Sequence, residues 1–135
     1  MGAWDVGPFD NDAALDWVGD LDDAEGWEPV AAVLRFAEVE GFVDAEDASE
    51  GLAAAEVVAA GLGRAREEVP EEVTWFLGRV GHRPSPELVA LAGTAVQRIL
   101  GDDSELRGLW EDTDDLDAWL ADTEGLVRRL GVAEA

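Results

Sequence analysis

The chain has 135 residues, 32 of them acidic against nine basic, a formal net charge of −23, no Cys and one His. A hydrophobic content of 47% is enough for a folded core, so the acidity does not signal disorder. These figures exclude disulfides, thiolate nucleophiles, Cys-ligated zinc and multi-His metal sites, and they disfavour nucleic acid and anionic membrane as partners, because neutralising phosphates requires clustered cations.

The opening stretch, residues 1–17, crowds Trp4, Phe9, Trp17, a Gly7-Pro8 pair and the acids Asp5, Asp10, Asp12 and Asp16 together without helical rhythm. It reads as aromatic anchors around a turn, followed by a carboxylate-rich helix start. Asp10 or Asn11 caps a first helix that runs to about Leu21. A second begins near Pro29, a residue suited to the first helical position, and carries Val30, Val33, Leu34 and Ala37 on one face. The third, from about Glu46 to Gly61, is apolar nearly all round between Leu52 and Ala60 except at Glu56, the pattern of a buried central helix. The fourth starts at Pro70 and carries Val73, Phe76, Leu77 and Val80. The fifth, capped by Ser85 before Pro86, carries Leu88, Leu91, Ala92, Ala95, Val96 and Ile99. A short sixth follows the cap Ser104 with Leu106, Leu109 and Trp110. The last carries Leu116, Trp119, Leu120, Val127 and Leu130, with Arg128 and Arg129 in its final turn and Gly131 as its C-cap. No stretch alternates as a strand would, and no repeat of solenoid period is present. The expectation is all-α: a single domain over residues 1–135, folded as a bundle of about six or seven helices.

Three stretches carry a family resemblance. The opening Met-Gly-x-Trp-x-x-Gly-Pro-Phe-x-Asn-Asp-x-Ala-x-Asp (residues 1–16), the run from Val43 to Ala60 and the run from Ile99 to Glu111 together resemble, in order, the small bacterial proteins classed as domain of unknown function 4259. The segment from Arg64 to Arg83 matches less well and reads as a variable connection. The resemblance implies one small domain and brings neither activity nor ligand. Trp4, Phe9, Asp10, Asn11, Asp12, Asp16, Glu56, Ser104, Glu105 and Trp110, all within these stretches, are the candidate binding positions.

Three groups of residues could carry chemistry. Asp12, Asp16 and Asp20 recur every fourth residue, so their carboxylates share one helix face and repel unless a hard cation such as Ca²⁺ or Mg²⁺ bridges them. Asp112, Asp114, Asp115 and Asp117 form a second cluster, and neither group has the spacing of an EF-hand loop. A solvated acidic face is the plainer reading of both. Glu56 needs a partner inside an apolar helix, and Arg98 or Arg35 is the expected one. The six Trp are expected in the core, with Trp4 and Trp110 as the exposed exceptions. Ser49, Ser85 and Ser104 lie at or near helix starts and none sits in a nucleophile elbow, while His82 falls in a surface loop.

The absence of Lys beside abundant Ala and Gly fits GC-rich coding or adaptation to high salt. The functional expectation is a cytoplasmic, non-enzymatic helical interaction module that docks a basic protein, such as an immunity or inhibitor protein would, as a monomer or homodimer. No cofactor is expected beyond Ca²⁺ or Mg²⁺ at the Asp stripe. Two alternatives stand beside it: a divalent-cation-responsive protein using the Asp clusters, and an enzyme using Glu56 with N-terminal Asp residues.

Overall fold

The structure is a computed structural model that describes residues 7–131. Seven α-helices lie among the described residues: α1 (Asp12–Gly19), α2 (Glu28–Leu34), α3 (Ala45–Gly61), α4 (Glu71–Val80), α5 (Pro86–Leu100), α6 (Glu105–Glu111) and α7 (Leu116–Leu130). Two 3₁₀ turns, Asp20–Asp23 and Arg35–Glu38, prolong α1 and α2. The bundle is all-α, as the periodicity indicates.

Local chemistry sets the helix ends. Asn11 accepts from the Ala14 N–H at 2.8 Å, Asp44 from Asp47 at 2.8 Å, Ser85 from Leu88 at 3.1 Å and Ser104 from Arg107 at 3.2 Å. Each satisfies a backbone donor that the helix itself leaves open. Asp44, and not Ser49, caps α3. Gly131, at φ 67°, ends α7 in the left-handed conformation that favours Gly, as its place after Arg128 and Arg129 predicts.

α3 is the axis of the molecule and packs against α1, α2, α5, α6 and α7. Every residue from Gly51 to Ala59 is buried, so the helix presents no solvent face along its middle two turns. Its glycines admit close neighbours: a Cβ at Gly61 would fall 2.6 Å from the Trp27 ring and 2.9 Å from Pro84. Trp119, Phe76, Leu21, Leu34 and Ile99 fill the rest of the core. Burying each such side chain contributes about 1.5–3 kcal/mol.

Two expectations differ in the structure. Trp110 is buried, because Leu106 and Trp110 at i, i+4 form the inward stripe of α6, and its ring stacks on Trp119 with centroids 6.4 Å apart. Trp75 is the exposed indole instead, standing off the Val73, Phe76 and Val80 stripe of α4. The first helix passes from α to 3₁₀ geometry after Gly19, and the carbonyls of Leu21 and Ala24 accept from the Arg79 guanidinium. The segment from Arg64 to Arg83 is also more than a connection, since it contains all of α4 with Val73 and Phe76 fully buried.

Periodicity gave no sign of a short parallel bridge between Val43 and Ser104. The Val43 N–H donates to the Asp103 carbonyl at 2.8 Å, and the Glu105 N–H donates to the Val43 carbonyl at 2.9 Å. It pins the start of α3 to the start of α6. Among the described residues no helix is long and apolar enough to cross a membrane.

Candidate functional site

Glu56 lies at the centre of a four-residue charge network. Its side chain has no exposed surface, and Arg129 grips both its oxygens, Nη1 to Oε1 at 2.7 Å and Nη2 to Oε2 at 2.9 Å. Arg66 adds a third bond to Oε2 at 3.1 Å and forks onto Asp122 through two bonds of 3.1 Å. Two guanidiniums thus face two carboxylates. α3 supplies Glu56, the loop before α4 supplies Arg66, and α7 supplies Asp122 and Arg129. Burial works to lower the Arg66 pKa, but the hydrogen bond to Asp122 and the fields of Glu56 and Asp122 outweigh it and hold the group above its ordinary value. A cleft of about 590 Å³ opens beside this network, with Glu67 and Glu68 on its rim. Its cations are already paired bidentately, so the arrangement is a clamp joining α3, α7 and the connecting loop. Glu56 meets neither Arg98 nor Arg35, and both its oxygens are taken up by the Arg66 and Arg129 guanidiniums.

The N-terminal turn abuts the same clamp. Gly7 and Asp10 exchange bonds, N–H to carboxylate at 3.2 Å and Asp10 N–H to the Gly7 carbonyl at 3.1 Å. A Cβ on Gly7 would fall 2.5 Å from the Asp10 carboxylate and 3.6 Å from the Arg66 guanidinium. Phe9 is buried in the core, and Asn11 closes the turn by capping α1. Trp4 lies outside the described residues.

The other candidates divide by role. Ser104 is a buried cap, and Glu105 accepts from the Ala45 N–H at 2.7 Å, so both fasten α6 to α3. Asp12, Asp16 and Asp20 are exposed, and no three carboxylates or His among the described residues group as a metal site would require. A different acidic set gathers at the start of α3: burial, with the fields of Glu46, Asp47, Asp20 and Asp44, raises the Glu50 pKa. Burial with Asp44 and Glu46 does the same to Asp47.

The use of arginine is not legible in the sequence. Arg64, Arg79, Arg83, Arg98, Arg107 and Arg129 each donate to backbone carbonyls. Arg98 holds three of them, on Phe36, Val39 and Gly41, and so ties down the loop between α2 and α3. Among the described residues ion pairs reach only Glu28, Glu38, Glu56, Glu111 and Asp122. The cations therefore stitch the backbone and leave most surface carboxylates unpaired. Arg98 interrupting an apolar face is the one signal the sequence carries, and it does not reveal carbonyls as the partners.

No curated protein and no solved structure matches the chain. A family model does, and it spans the N-terminal turn, the clamp residues Glu56, Arg66 and Asp122, and both sides of the Val43–Ser104 bridge. The match runs over residues 2–122, and the chain belongs to the family described as domain of unknown function (DUF4259).

Proposed function

We propose that this protein is a non-enzymatic docking module whose carboxylate surface binds a basic protein partner. One observation carries the reading: most arginines are directed onto backbone carbonyls or the buried Glu56, so with a net charge of −23 few surface carboxylates are paired locally. A surface of that kind speeds encounter with a cationic partner and disfavours anionic ones. The interior offers no competing chemistry. Every buried side-chain N or O among the described residues has a hydrogen-bond partner, and the one fully buried carboxylate is held by two guanidiniums. An immunity or inhibitor protein for a basic toxin or nuclease is the concrete form this reading takes.

The test is affinity purification from the native host, with partners identified by mass spectrometry and eluted on a salt gradient. The expected partner is a basic chain in stoichiometric amount, released as screening shortens the Debye length to about 3 Å near 1 M salt. A stoichiometric partner that is neutral or acidic, or one retained through molar salt, overturns the reading.

A further inference from the structure

The geometry points to the loop of residues 38–42 as the contact point of that docking module, taking a basic polypeptide segment with a cation next to a large apolar side chain. This rests on the docking reading above and adds the place and the ligand chemistry. Val39 and Phe42 are 65% and 69% exposed, and with Trp75 and Leu15 they are the large apolar side chains left open among the described residues. They differ from those two in sitting together on one short loop beside a cleft. Glu38, Glu40 and Asp103, all exposed, line a cleft of about 420 Å³ beside Val39, together with Arg98, whose guanidinium is taken up by loop carbonyls. Glu38 shares the Arg35 guanidinium with Glu28 at the long distance of 3.9 Å, which leaves it largely open to a second cation.

The loop is also held still. Arg98 reaches from α5 to bind the carbonyls of Phe36, Val39 and Gly41, and the bridge from Val43 to Ser104 fixes its far end. Gly41, at φ 128°, sits where an L side chain would be strained, so the chain turns sharply between Val39 and Phe42. A short exposed loop ordinarily loses entropy when it binds. Here that ordering is built into the fold, so both apolar tips are presented in a fixed arrangement. Exposed apolar anchors on a rigid mount, rimmed by carboxylates, match the anatomy of a small hot spot with a charged rim. The occupant follows from charge complementarity. A second copy would bring another −23 to the same rim, whereas Arg or Lys beside Leu or Phe satisfies both components.

The probe is a labelled twelve-residue peptide of Arg, Gly and Ser with a central Leu-Phe pair, its affinity read by fluorescence anisotropy and its site by ¹H–¹⁵N correlation spectra of ¹⁵N-labelled protein. Shifts are expected in the amides of residues 38–42, with neighbours Arg98 and Asp103. Phe42→Ser and Val39→Ser are surface changes that leave the core intact, and each is expected to weaken binding at least about tenfold, against less than about twofold for Trp75→Ser. Replacing the peptide's Leu-Phe by Ser-Ser should cost a similar factor on the native protein and nothing further on Phe42→Ser. Salt-sensitive binding that ignores Phe42 and Val39 overturns the loop assignment and leaves the docking reading standing. Absence of binding even at low salt overturns both. A native dimer that Phe42→Ser dissolves, seen by analytical ultracentrifugation, assigns the loop to a second copy and overturns the basic-segment occupant.

Discussion

Truncating Glu56 would strip Arg129 of its carboxylate partner and leave Arg66 with Asp122 alone. A buried charge stripped of its partner is among the costlier single changes in a protein, so Glu56→Ala is expected to lower unfolding stability by about 3–5 kcal/mol in urea titration. The double variant with Arg129→Met should recover part of that loss, because it removes one orphaned cation together with its counterion. Additive losses would show that the pair is not coupled and that Glu56 acts through packing alone. That Glu56 needs a cation is legible from sequence, since nothing else polar falls within the apolar run. Which cation is not. Arg66 lies in a loop without periodicity and Arg129 lies on the last helix, so the pairing depends on how α3 and α7 pack. The same limit misplaces Trp110: its neighbours Leu106 and Leu109 already mark an inward stripe, but only the α6–α7 contact supplies the Trp119 ring that covers it.

The α3 N-terminus shows opposed effects within one element. Asp44 caps the helix, and Glu46 and Asp47 sit in its first turn, where the helix dipole favours negative charge. Glu50, a turn further on, gains little from the dipole but is partly buried and faces Glu46, Asp47, Asp20 and Asp44, so its pKa is raised above its ordinary 4.5. A raised carboxyl pKa means that the folded state disfavours the charged form. The stability associated with Glu50 is therefore complete below pH 4.5 and is lost as pH rises through the higher folded-state value. Glu50→Gln should raise the melting temperature at pH 7, and the gain should shrink on acidification and vanish below about pH 4. A gain that persists at pH 3 would mean the effect is packing and not charge. Helix identity, length and most caps are legible from sequence, because capping residues and 3.6-residue stripes are local. The Val43–Ser104 bridge is not, since it joins positions some sixty residues apart by backbone bonds that no side-chain pattern announces. Two of the three stretches that carry the family resemblance meet at that bridge, while the first lies against the Arg66 clamp.

Over the whole molecule, the arginine pattern determines how the protein should respond to ions. If surface carboxylates were locally paired, added salt would weaken those pairs and leave stability flat or falling. Because most of the guanidiniums bind carbonyls or the buried Glu56, salt has few favourable pairs to screen and much like-charge repulsion to relieve. The melting temperature is expected to climb steadily from dilute buffer toward molar NaCl and to track ionic strength whichever cation supplies it. Millimolar CaCl₂ or MgCl₂ at matched ionic strength then separates screening from binding. A specific divalent site adds RT ln(1 + [L]/Kd), about 2.7 kcal/mol at a hundred times Kd, whereas screening adds nothing beyond the NaCl curve. Coincident curves fit exposed Asp12, Asp16 and Asp20 carboxylates that act independently. A divalent excess would revive cation binding at one of the acidic clusters. A flat NaCl curve would mean the surface charge is already neutralised, and the docking of a basic partner would lose its driving force.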